Sequence, residues 1–279
     1  MPKMLKRFLR NPSAMVGIAI SVFVLLVALL APVLVLENPT QIDFGKLSQK
    51  LEKPGVTTIL GRDNFGRDLY SRIVMGARVS LLVGTSAVAL GMIVGSLFGL
   101  LAGFFGGWFD EVIMRVTDIL YAFPAILLAL ALVAALGPSL SNLVFAISFV
   151  SIPGFARVMR SSAVTVRGSE MVEAARSSGV RTPRIIFKYV LPNAVTPTIV
   201  YAAISLASAL LTEAGLSFLG LGVQPPTPSW GGILAEGREF LRTAPYMTNF
   251  AGLAILITVV GFNLLGDGVR DVLDPRNAS

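Results

Sequence analysis

Residues 15–36 read MVGIAISVFVLLVALLAPVLVL. No charge interrupts these 22 residues. About twenty apolar residues are what a helix needs to cross the ~30 Å hydrocarbon core of a bilayer. The run follows Lys3, Lys6, Arg7 and Arg10. A secretory signal has the same positive start, but its apolar region is only about 7–15 residues long. The run therefore reads as an uncleaved first transmembrane helix. Working outward, five more apolar runs follow at about 79–104, 119–136, 140–155, 196–221 and 250–265. Gly137-Pro138-Ser139 is a turn between the third and fourth, which makes them a tight hairpin. The expected fold class is an all-α integral membrane chain with six transmembrane helices.

Composition decides the same class independently. The chain has 279 residues, of which 54% are hydrophobic and 14% charged, and its mean hydropathy is +0.76. Soluble domains carry about 25% charge. The net charge of +7 would suggest nucleic acid in a soluble protein. Beside apolar spans it reads instead as the basic bias that sets orientation. There is no cysteine and no histidine. Disulfides, thiol chemistry, imidazole catalysis and His-ligated metal sites are thereby excluded. No catalytic residue, metal site or cofactor is expected.

The segment 157–195 holds Arg157, Arg160, Arg167, Arg176, Arg181, Arg184 and Lys188 against Glu170 and Glu173. With six spans both termini share one side. The basic tail, this loop, Arg270 and Arg276 then lie in the cytoplasm, and 37–78 and 222–249 outside. The basic residues of 37–78, among them Lys46, Arg62, Arg67 and Arg72, argue against this orientation, and acids such as Glu37, Asp43 and Asp63 offset them only in part. The run GVQPPTPSWGG at 222–232 is too rich in Pro and Gly for a helix.

Three patterns bear on function. Gly91, Gly95, Gly99 and Gly103 recur every four residues, on one face of the second span. Such a face lets another backbone approach closely, so helix packing is preferred to lining a path. Glu213 is a carboxylate inside the fifth span, and mid-bilayer charge costs about 2.5–3.5 kcal/mol on insertion scales. It is expected to face protein or a water-filled cavity, or else to sit near the outer interface, where the cost is small. Lining a translocation path and holding a structural hydrogen bond both stay open. Asp118, Asn263 and Asp267 lie close to span ends and read as interfacial. GRDNFGRD at 61–68 spaces two glycines like a phosphate-binding loop but lacks its Lys and Ser/Thr. It is read as a decoy, so any ATP must be bound by a separate subunit.

The most informative stretch is EMVEAARSSGVRTPRIIFKYVLPNAVTP at 170–197. Helix formers run to Ser178, and Gly179 suits a helix end. Thr182 suits the cap of a second short helix, with Pro183 at its first helical position. Ile185, Ile186, Tyr189 and Val190 make an apolar stripe, and Pro192 ends it. The spacing predicts a helix–turn–helix finger. Its stripe is buried either against a partner protein or against the chain's own underside.

The finger resembles the coupling-loop signature of bacterial ABC importer permeases. Glu173, Ala174, Ala175, Gly179, Leu191 and Pro192 fit that pattern, with Tyr189 where Ile is usual. Four further blocks are similar to the dipeptide/oligopeptide/nickel branch, and most of all to the second permease of each pair. They are 60–84, with Arg62 where Thr is usual, 109–124, 216–234 and 263–276. The resemblance implies a type I ABC importer permease architecture in a bacterial inner membrane. It implies a second homologous permease, two ATP-binding subunits, one of which holds the Glu173–Gly179 finger in a groove, and an extracytoplasmic solute-binding protein touching 37–78 and 222–249. It implies import of di- or oligopeptides, with nickel or another small solute such as glutathione as the alternative cargo. An ion-coupled secondary transporter is the rival from another class. It would carry more membrane-buried charge and repeated halves than this sequence shows.

Overall fold

The computed structural model describes residues 12–273. Lys3, Lys6, Arg7, Arg10 and Arg276 lie outside them. Among the described residues there is no strand, only an isolated bridge between Arg62 and Asp68. The long helices are α1 (Pro12–Leu34), α2 (Leu69–Phe105), α5 (Leu140–Arg167), α9 (Thr196–Phe218) and α11 (Tyr246–Leu273). Each is long and apolar enough to cross a membrane. Between α2 and α5 lie α3 (Gly107–Tyr121) and α4 (Ala125–Leu136), bent 88° from each other. Counting this pair as one broken span gives six.

The third expected span, 119–136, is therefore not one straight helix. Helix α3 ends at Tyr121, and Pro124 stands immediately before α4. Proline has no N–H to give, and it pushes the residue before it, Phe123, away from helical dihedrals. Helices α2, α5 and α11 overrun their apolar runs, α11 reaching from Tyr246 to Leu273 around the expected 250–265. Helix α2 begins at Leu69, ten residues before 79, because Asp68 caps it: the Ser71 N–H donates to Asp68 Oδ2 (2.8 Å). Hydropathy misses that first turn because it carries Arg72, whose charge is paired. Helix α5 continues past 155 to Arg167, so the expected loop 157–195 is helical for its first eleven residues.

The bundle is held by small residues. A Cβ on Gly91 would stand 2.0 Å from Ser151 Oγ, on Gly95 2.5 Å from the Ile152 carbonyl oxygen, on Gly99 2.1 Å from that of Ala156, and on Gly103 2.7 Å from that of Arg160. All four glycines thus press α2 backbone against α5. A second close contact joins α1 to α11, where Gly17 faces Leu264 and Leu265 and Gly268 faces Ala14. One apolar core joins α2, α4, α5 and α9 around Val83, Val133, Leu143, Phe155 and Leu216. A second joins α1, α2, α9 and α11 around Val24, Leu81, Leu210 and Phe262. The outward face of α1 exposes Phe23, Leu29 and Val33.

Candidate functional site

At one end of the bundle α5 leads into the finger. Helix α6 (Glu170–Ser177) is followed by α7 (Thr182–Ile185), a π turn (Ile186–Val190) and α8 (Leu191–Ala194). The Gly179 N–H donates to the Arg176 carbonyl (2.9 Å) and the Val180 N–H to that of Ala175 (3.1 Å). These two bonds close a Schellman motif, which needs a left-handed residue. Gly179 supplies it at φ +74, with nothing within 4 Å of where a Cβ would be.

Two local readings shift. Thr182 is the first residue of α7 rather than its cap, which is Arg181. Pro192 does not end the helix. The Leu191 N–H reaches back to the Ile186 carbonyl, so the chain widens into a π turn before Pro192, and α8 follows. A widened turn is one way a helix absorbs a missing N–H.

The apolar stripe is buried on the chain's own underside. Ile185, Ile186 and Val190 pack with Val172 and Ala175 against Leu100 and Phe104 of α2 and Met159 and Ala163 of α5. The Arg176 guanidinium stands 5.4 Å from the Phe104 ring centroid. Of the signature residues, Glu173, Ala174, Gly179 and Pro192 are exposed, Leu191 is half-buried and Ala175 is buried. The finger is thus a seated projection whose outer surface mixes Glu173 with apolar groups such as Met171 and Phe187.

At the opposite end, GRDNFGRD forms a clasp. Asp63, fully buried, accepts the backbone N–H of Phe65 (2.8 Å) and of Arg67 (2.9 Å). It also accepts Arg67 Nε (2.6 Å) and a close bond from Arg72 Nη1. Arg72 grips both oxygens of Glu236, at 2.6 and 2.9 Å, from α10 (Trp230–Gly237). Arg62 grips both oxygens of Glu37 at 2.9 Å, and the Tyr246 hydroxyl donates to the Arg62 carbonyl (3.0 Å). The Arg62 guanidinium holds the Glu37 carboxyl down at about 2, against the opposing effect of burial. Two-point charged pairs of this kind are the strong ones. The Arg72–Glu236 pair joins 37–78 to 222–249. The charges of the motif are spent on the clasp, and nothing in its spacing reveals the distant Glu236. Helix α10 also takes in the WGG of the Pro/Gly-rich run. The Gly232 N–H donates to Ser229 Oγ (3.1 Å), and Gly231 lies against Ala214 and Ser217 of α9.

Glu213 lies beneath that loop and is 1% exposed. Ser217 Oγ donates to its Oε1 (2.8 Å), and the hydroxyls of Ser80 and Ser229 face the same carboxyl. On α3 and α5, Asp110 binds Arg160 through both oxygens, with Nη2 to Oδ2 at 2.6 Å, and Asp118 accepts Arg157 Nη2 at 2.6 Å. Asp118 is thus half of an inter-helix pair rather than a lone interfacial charge. Asn263 and Asp267 lie within α11.

An all-α bundle of five or six membrane-length helices, folded around small residues and carrying a seated finger at one end, defines the class as a membrane-embedded transport permease. A family model described as binding-protein-dependent transport system inner membrane component matches residues 95–279. The N-terminal TM domain of oligopeptide transport permease C matches residues 3–54. The chain belongs to the family of binding-protein-dependent transport system inner membrane components. It is 44% identical over 274 residues to the dipeptide transport system permease protein DppC of Alkalihalophilus pseudofirmus, covering 98% of this chain and 89% of that one. It is 44% identical over 272 residues to the di/tripeptide transport system permease protein DppC of Pseudomonas aeruginosa, covering 96% and 90%. It is 42% identical over 275 residues to the glutathione transport system permease protein GsiD of Pectobacterium atrosepticum, covering 97% and 89%. Its fold matches a chain of the MetNI methionine ABC transporter in inward-facing conformations, with a TM-score of 0.61 at 19% identity, covering 74% of this chain and 98% of that one. The fold is that of a type I ABC importer permease. Family membership leaves no place for an ion-coupled secondary transporter.

Proposed function

We propose that this chain is one of two homologous permease subunits in an importer for di- or oligopeptides, driven by ATP that two separate subunits bind. The observation that carries this reading is the finger. Its apolar stripe is spent on the chain's own core, while Glu173, Ala174, Gly179 and Pro192 stand outside as a fixed projection for another protein to grip. Rigid seating on α2 and α5 lets a push on the finger move the bundle instead of bending a loop. The cargo class follows the relatives named above. Glutathione, carried by one of them by name, is itself peptide-like and is the second reading.

The finger loop and both termini are cytoplasmic on this reading, in a bacterial inner membrane. Segments 37–78 and 222–249, locked together by Arg67, Arg72 and Glu236, form the outer face that receives a solute-binding protein. The test is recovery of tagged chain from native membranes in mild detergent, with the partners identified by mass spectrometry. A second permease and ATP-binding subunits should co-purify. Gly179→Asp should insert normally but lose those ATP-binding subunits and uptake, whereas Gly179→Asn, which tolerates a left-handed φ without adding charge, should keep most of both. A wild-type chain that comes down alone overturns the assembly. Wild-type uptake by Gly179→Asp overturns the docking role of the finger.

A further inference from the structure

We propose that Arg157, Asp118, Tyr121 and Tyr201 form a contact site for the two charged ends of an unblocked peptide, at the finger end of its path. The proposal rests on the peptide-import reading above. The four side chains meet where α3, α5 and α9 converge. The Arg157 guanidinium lies 4.1 Å from the Tyr121 ring centroid while Nη2 binds Asp118. Tyr201 stands edge-on to Phe155 and points its hydroxyl at Gly154, where a Cβ would lie 2.1 Å from that oxygen and 3.0 Å from the Tyr121 hydroxyl. Only a residue without a side chain lets both hydroxyls reach this point.

The charge of this pair argues against a lipid neighbour. Arg157 comes seventeen residues after Leu140, where α5 begins. That is about 26 Å along the helix, within the ~30 Å of the hydrocarbon core. Yet the side chains of Arg157 and Asp118 are 46% and 55% exposed. Open charges on a spanning helix face water or protein, not acyl chains. The other face of α5 is already occupied by the glycines of α2.

The pair is more open than the clasp's Arg72–Glu236 pair and than Arg160–Asp110. Arg72–Glu236 and Arg160–Asp110 are two-point grips that use both carboxylate oxygens. Arg160–Asp110 already ties α3 to α5. Arg157–Asp118 is a single-point contact. It leaves guanidinium donors and a carboxylate oxygen for a visitor. A peptide's terminal carboxylate matches the guanidinium fork. Its ammonium matches Asp118 and the face of a tyrosine ring.

The test uses the complete transporter, with its second permease, ATP-binding subunits and solute-binding protein, in proteoliposomes supplied with a labelled dipeptide. Arg157→Gln and Asp118→Asn should each slow uptake roughly tenfold or more, the scale of one lost charge-assisted hydrogen bond, with ATP hydrolysis stimulated by the binding protein little changed. Arg157→Lys, which keeps the charge but not the fork, should recover only part of the uptake. The charge-swapped double variant, Arg157→Asp with Asp118→Arg, should stay slow, because it keeps a pair but inverts it toward the peptide. Restored uptake in the swap would make the pair a clasp and overturn the proposal. So would unimpaired uptake by a doubly neutral variant, and in that case peptide import itself stands. Wild-type complex that moves no peptide overturns both readings.

Discussion

Glu213 shows at the scale of one residue how a carboxylate is accommodated in a spanning helix. Ser217 is on its own helix, Ser80 on α2, and Ser229 is the cap of α10. Ser80 Oγ in turn accepts the Trp230 N–H (3.3 Å). Three elements are tied through one buried group, so we read Glu213 as a packing anchor, not a wall of an open path. Glu213→Ala strands the hydroxyls and should cost about 1–3 kcal/mol. It should lower the thermal unfolding midpoint in detergent, and Glu213→Gln, which keeps an acceptor, should lower it less. An Ala variant as stable as wild type would remove the anchor. The sequence displays Glu213 because a charge in an apolar run is visible by itself. Its serines are invisible, since nothing local says that positions 80, 213 and 229 meet. For the same reason Asp118 reads as interfacial and Arg157 only as an orientation charge. A pair 39 residues apart exists only once α3 has folded back on α5.

At the scale of elements, the legible features are those with a local period. Apolar runs reveal five long helices, and the four-residue glycine spacing marks the face of α2 that meets α5. What fails is local too. Arg72 shortens the apparent start of α2, Pro124 splits a run that looks continuous, and Pro192 looks like a stop although a π turn carries the helix past it. At Arg72 a distant partner overrides hydropathy, at Pro124 a local breaker does, and at Pro192 a change in helical register overrides the breaker rule. The α2–α5 contact can be tested directly. In Gly99→Ala the new Cβ lands 2.1 Å from backbone that cannot swing away. Overpacking of this kind costs typically about 1–3 kcal/mol. Gly252→Ala, on α11, meets only the tip of Leu234 at 4.0 Å. It should be neutral or up to about 1 kcal/mol stabilising from helix propensity. Unfolding midpoints of the two variants, set beside wild type, should separate them in opposite directions. Equal midpoints would mean that the two helices do not approach as closely as drawn.

At the scale of the whole molecule, α2 is the strut between two specialised ends. Its 37 residues rise about 55 Å. Leu69 to Arg72 sit in the clasp, and Leu100 and Phe104 sit under the finger. A solute-binding protein at one end and an ATP-driven push at the other would therefore act on one stiff element. This requires the two ends to be on opposite sides of the membrane, which the lack of cysteine in the chain makes simple to check. Phe44 in the 37–78 segment is 83% exposed, and Glu173 is exposed on the finger. Introduced one at a time, Phe44→Cys should react with a membrane-impermeant maleimide added to intact spheroplasts, and Glu173→Cys only after permeabilisation. The reverse pattern would invert the orientation and put the finger beyond the reach of cytoplasmic ATPases. Reaction of both from outside would mean that α2 does not carry the chain across, and the strut argument would fail with it.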